Sequence, residues 1–160
     1  MKYLAVSHNQ DYVSWAYFDG RMLHSVDKIV FKEYESHKQM YEFYNNILYL
    51  LETHDIGIVV VKELKEKEIK KQHLESYFNL RGVLKLVSAQ MGVIYHEAKV
   101  DGWELYITNG KNTSKKKLQI VNEGYQLPFT EAEHNFKYDD VETANAIILG
   151  EAVAHGRIHV

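Results

Sequence analysis

The apolar positions of this chain come first in short dense runs and only later at helical spacing. Lys2 to Ser7 reads as a buried strand, and His8-Asn9-Gln10-Asp11 as a polar turn. Tyr12 to Phe18 alternates as a second strand, and Asp19-Gly20 is a hairpin signal. Arg21 to Phe31 supplies a third strand, so an antiparallel meander is predicted within the first 31 residues. Glu35 to Glu52 then carries Met40, Tyr41, Phe43, Tyr44, Ile47, Leu48 and Leu51 at helical intervals. Gly57 to Val61 is a continuous apolar run, the mark of a strand covered on both faces. A long helical stretch follows from about Glu66 to Gln90, with a possible break at Arg81-Gly82, and then a strand from Gly92 to Glu97. Lys99 to Asn109 gives no clear period. Thr113 to Asn122 reads as a helix opened by a Thr113 or Ser114 cap. Asn122 to Lys137, with the only proline, reads as a loop, and a final helix spans about Asp139 to Ala154 or His155.

A meander followed by alternating helices and strands predicts an α/β fold: a mixed five-stranded sheet with helices on both faces. At 160 residues the chain is expected to form one domain, residues 1–160, with one sizeable core. No apolar run approaches the roughly 20 residues that span a bilayer. With no signal-peptide pattern and no cysteine, a cytoplasmic protein without disulfides or thiolate-bound zinc is expected. The net charge of −3 argues against a protein that coats DNA indiscriminately, though it leaves room for a local basic groove. Such a groove would be built from lysine, because Arg21, Arg81 and Arg157 are the only arginines. Lysine contacts phosphate as a point charge, so binding would be backbone-directed and sensitive to salt.

Lys111, Lys115, Lys116 and Lys117 are the densest basic cluster, whereas the run from Lys62 to Lys71 reads as a solvated surface. Lysines at a helix start oppose the helix dipole, which hints at an external anion such as phosphate. Of nine histidines only His155 and His159 have ligand-like spacing, near the C-terminal end, and His8 stands out because it directly follows Ser7. Neither a glycine-rich phosphate loop nor a nucleophile elbow is present.

Several segments together resemble the RuvC family of Holliday junction resolvases, which have an RNase H-like fold. They are Tyr3-Leu4-Ala5-Val6-Ser7, Trp15-Ala16-Tyr17-Phe18-Asp19-Gly20, Val59-Val60-Val61-Lys62-Glu63, Leu80-Arg81-Gly82-Val83-Leu84, Asn109 to Lys117, and Glu142-Thr143-Ala144-Asn145 to Gly150. The resemblance implies that Ser7, Glu63, Glu142 and Asn145 stand at the four catalytic, metal-holding positions, with Asp139 as an alternative partner of Glu142. An ungapped comparison puts Lys62 at the second position, and a one-residue shift puts Glu63 there. Two metal ions need several carboxylates in one place, and this set supplies two. The resemblance further implies DNA contacts by Lys111, Lys115, Lys116, Lys117 and Arg81. It also implies Mg²⁺ or Mn²⁺ if the protein is active, and a homodimer matched to the two-fold junction. Leu74, Tyr77, Phe78 and Val83 on the long helix are candidate dimer contacts. The expected function is binding of branched or double-stranded DNA with weak or no nuclease activity. The alternative is an active metal-dependent junction endonuclease with shifted carboxylates.

Overall fold

The computed structural model describes residues 1–33, 35–64, 66–99, 102–110, 113–124 and 140–160. Its first 30 residues form the expected meander of β1 (Lys2–His8), β2 (Tyr12–Asp19) and β3 (Met22–Val30). Gly20 makes the β2–β3 turn at φ +62°, a left-handed geometry that glycine adopts without strain. After α1 (Ser36–Thr53), strand β4 (Ile58–Lys62) pairs parallel with β1, and β5 (Ile94–Ala98) pairs parallel with β4. The sheet order is β3-β2-β1-β4-β5, a mixed five-stranded sheet as expected.

Alternation along the two central strands divides the core. Tyr3, Ala5, Ile58 and Val60 face α5 (Val141–Ala154), together with Ile147, Ile148 and Leu149 of that helix. Leu4, Val6, Val59 and Val61 face Phe43 and Ile47 of α1 and Leu80 and Leu84 of α2 (Leu74–Met91). Each such side chain contributes about 1.5–3 kcal/mol on burial. Helix α5 lies against the sheet because Gly150 is bare: a Cβ there would sit 1.9 Å from Cε1 of Phe18. The Tyr3 hydroxyl donates to the Gly150 carbonyl oxygen at 3.0 Å, tying strand to helix.

Two expectations need correction, and one stretch without a clear period gains an assignment. The segment before Leu74 is not helix but two short 3₁₀ turns, Glu66–Glu68 and Lys71–His73, because a run made almost wholly of lysine and glutamate has no apolar face to bury. Helix α2 runs unbroken through Arg81-Gly82, because the bare Gly82 faces open space and the neighbouring Leu80, Val83 and Leu84 are packed. Lys99 to Asn109 contains a helix, α3 (Gly102–Thr108), followed by α4 (Ser114–Gly124). Thr113 caps α4 by accepting from the Lys116 N–H at 3.3 Å. The expected loop from Asn122 to Lys137 lies largely outside the described residues, as do Lys111 and Asp139. Among the described residues no helix is long and apolar enough to cross a membrane.

Candidate functional site

Ser7 at the end of β1 and Lys62 at the end of β4 point to the same side of the sheet, toward α5. They extend the rows Tyr3, Ala5 and Ile58, Val60 by the two-residue period of a strand. Helix α5 presents Glu142 and Asn145, one turn apart, over these strand ends. The Ser7 hydroxyl donates to Glu142 Oε2 at 2.7 Å, and Asn145 Nδ2 lies 3.4 Å from Glu142 Oε1. The amide oxygen of Asn145 accepts from two ammonium groups, Lys62 Nζ at 3.2 Å and Lys117 Nζ at 3.1 Å.

Both ammonium groups also bond the carboxylate of Glu104, Lys62 at 2.8 Å and Lys117 at 2.7 Å. All three of these charged side chains are at least nine-tenths buried. Burial alone raises the Glu104 pKa, but the hydrogen bonds from Lys117 and Lys62 outweigh it and hold the carboxyl below its ordinary range. Burial pulls Lys117 below its ordinary value, and the nearby positive charge of Lys62 adds to that pull against the Glu104 carboxylate.

Glu104 was invisible in the sequence because α3 has no clean period. Its signal is a charged residue on the inward side of a short helix, beside Trp103 and one turn before Thr108, both buried. Glu63 lies one residue beyond β4, and its carboxylate takes no part in this chain of contacts. The residue on the α5 side is Lys62, buried to 6 % exposure.

A second polar group occupies the other side of the same strand ends. His8 is 2 % exposed and stacks on Tyr77 with ring centroids 4.4 Å apart. Burial, and then the charge of Arg81, push its imidazole down to about 3, so His8 is neutral in the folded chain. Its Nε2 has no hydrogen-bond partner among the described residues. Arg81 donates to the Lys62 carbonyl oxygen at 3.1 Å and to the Tyr77 hydroxyl, and pairs with Glu97 at 3.2 Å. The Arg81 side chain is 4 % exposed. It braces α2 against β4 and β5 and does not form part of an exposed basic surface.

The lysine cluster expected at a DNA surface is therefore split. Lys115 and Lys116 are exposed at the start of α4, while Lys117 turns inward to Glu104. Of the residues considered for a dimer contact on α2, Tyr77 and Val83 are buried within the chain, and Phe78 is exposed.

Among the described residues the donor set does not fit a divalent metal. Mg²⁺ and Mn²⁺ require several hard, negatively charged oxygens free to coordinate. Here Ser7 offers a hydroxyl already bonded to Glu142, and Asn145 Oδ1 is directed at two ammonium groups. Glu104 is paired twice, and Asp140 caps α5 through Thr143 and pairs with Lys28 at 3.5 Å. Among the described residues no group of three histidine, aspartate or glutamate side chains is placed to hold a metal ion.

No protein-family model matches this chain, and no curated protein matches it in sequence. The fold itself is shared with solved structures. RuvC of T. thermophilus in complex with a Holliday junction substrate superposes with a TM-score of 0.73 at 10% identity, over 98% of this chain and 96% of that one. The fowlpox virus resolvase in complex with Holliday junction DNA superposes with a TM-score of 0.61 at 13% identity, over 99% and 100% of the two chains. The yeast mitochondrial Holliday junction resolvase gives 0.65 at 10% identity, over 95% of this chain and 78% of that one. At these identities the likeness establishes a RuvC-like RNase H fold.

Proposed function

We propose that this chain is a nucleic-acid-binding protein on a RuvC-like scaffold, taking branched or double-stranded DNA, with weak or no nuclease activity. One observation carries the reading: among the described residues the only carboxylate at the meeting point of the strand ends and α5 that is not paired with a lysine is Glu142, and it is joined through Asn145 to the two buried lysines that Glu104 neutralises. Function resides in the site rather than the fold. Among its described residues this site lacks the convergent carboxylates that cleavage of a phosphodiester by paired metal ions requires. The near full-length likeness to two resolvases solved with junction DNA supports DNA as the ligand. Exposed Lys115 and Lys116 supply cations for phosphate contacts.

A homodimer belongs to the same proposal. On the outer side of α2, Phe78 (48 % exposed) and Leu86 (53 % exposed) flank Gly82, where nothing lies within 4 Å of an added Cβ. A second copy of α2 would pack closely over that gap, giving a closed two-fold pair. Light scattering should show twice the chain mass, and Phe78→Glu should return it to the monomer.

The decisive test is a mobility-shift and cleavage assay on a four-way junction, duplex and single strand, with and without Mg²⁺. We expect binding that weakens as salt rises, with a shallow slope set by a few phosphate contacts, and little or no cleavage. Efficient Mg²⁺-dependent junction cleavage abolished by Glu142→Ala would overturn this reading in favour of an active endonuclease. Absence of binding to any DNA or RNA would favour a protein-interaction role.

A further inference from the structure

We infer that the site beneath α5 is internally neutralised, with the ammonium groups of Lys62 and Lys117 serving as resident counter-ions that make it independent of divalent metal. The inference deepens the proposed function by naming what holds this site together. It rests on that reading only in taking this cluster as the functional centre.

The geometry carries the argument. Lys62 reaches from the end of β4, Lys117 from the first turn of α4, Glu104 from α3 and Asn145 from α5. Four elements are thus joined by charge and hydrogen bonds at one point. In a carboxylate cluster such joining requires a bound cation to offset mutual repulsion. Here the cations are covalently part of the chain, and their charges balance those of Glu104 and Glu142, two of each sign. Asn145 makes the arrangement consistent. An aspartate there would add negative charge, whereas the neutral amide accepts from both ammonium groups with its oxygen and turns its Nδ2 toward Glu142. A divalent ion entering beside Glu142 would meet two ammonium groups held on the next side chain along the helix face, and their repulsion opposes it. Among the described residues the other nearby carboxylate, Asp140, is engaged by the N–H and hydroxyl of Thr143 and by Lys28.

The test is metal titration of the full chain without DNA, so that its result is separate from the question of nucleic-acid binding. Manganese is added to the wild-type protein and the free aquo-ion is followed by electron paramagnetic resonance. In parallel, the thermal midpoint is measured in EDTA and in millimolar Mg²⁺. We expect no depletion of the free Mn²⁺ signal and no shift of the midpoint. The variant Ser7→Asp, Lys62→Glu, Asn145→Asp should deplete the signal stoichiometrically and gain several degrees of midpoint with Mn²⁺, as expected for a ligand that binds only the folded chain. Should the triple variant not fold, the wild-type titration decides alone. One equivalent of Mn²⁺ bound by the wild type, or a midpoint raised by Mg²⁺, overturns the inference. If the folded triple variant, and a version of it that also carries Lys117→Met, both still ignore Mn²⁺, the inference is overturned as well, because neither lysine would then be what excludes the metal.

Discussion

Two polar clusters sit back to back at the ends of β1 and β4, and they are built on opposite principles. On the α5 side, Lys62, Lys117, Glu104 and Asn145 satisfy one another by charge. On the α2 side, His8, Tyr77 and Arg81 meet largely by stacking, and His8 Nε2 and the Arg81 Nε have no partner among the described residues. The first cluster converts burial into mutual pairing, so removing one member exposes another to an uncompensated charge. The second keeps its histidine neutral and tolerates incomplete satisfaction, so its sensitivity lies in protonation.

The largest expected effect is at Glu104. Replacement by alanine leaves two buried ammonium groups facing each other, and should destabilise the fold by about 3–5 kcal/mol in urea denaturation. Replacing Lys62, Glu104 and Lys117 together by methionine, leucine and methionine should recover most of that loss. If the single and triple variants are equally unstable, packing rather than charge governs the cluster.

Arg81→Met comes next, at about 2–3 kcal/mol. It removes the bonds to the Lys62 carbonyl oxygen and the Tyr77 hydroxyl, while Glu97, its carboxylate partner, is 26 % exposed and regains water. A change below about 0.5 kcal/mol, the size of an ordinary surface substitution, would show that Arg81 does not brace α2.

The His8 side adds a pH dependence. The imidazole titrates at about 3 in the folded chain and near its ordinary 6.5 when unfolded. Between those values the unfolded chain holds more protons, so stability rises with pH across the window and is lost on acidification. At about pH 5 the His8 share of that loss is about 2 kcal/mol. Glu97 and Glu104, whose pKa values lie below the ordinary carboxylate value, are lost in the same direction but only at lower pH. His8→Phe keeps a ring against Tyr77 and should flatten the stability profile between pH 7 and 5. An unchanged profile would assign the acid sensitivity to another group.

The smallest effects should separate the site from the surface. Ser7→Ala deletes one hydrogen bond to Glu142 and should cost about 1 kcal/mol. Lys115→Ala with Lys116→Ala should change stability by less than about 0.5 kcal/mol while lowering DNA affinity and flattening its salt dependence. Unchanged DNA affinity in that double variant would move the nucleic-acid surface elsewhere.

What the sequence determined by itself is the sheet and the direction of its side chains. Period-two alternation and the Asp19-Gly20 turn define the meander, and a continuous apolar run marks β4 as covered on both faces. These are local properties, set by backbone geometry and the need to bury apolar surface, so they can be read one segment at a time. The same alternation showed that Lys62 and Glu63 could not both face α5. Which of them does depends on the register of β4 against β1, where Val6 pairs with Val61, and that register is a tertiary quantity. Tertiary structure also decided the fate of Arg81 and Lys117. Both looked like surface cations, and each is drawn inward by a carboxylate distant in sequence, Glu97 for one and Glu104 for the other. A buried charge is stable only where its partner lies, and the partner's place is set by how helices stack on the sheet. No spacing along the chain records that.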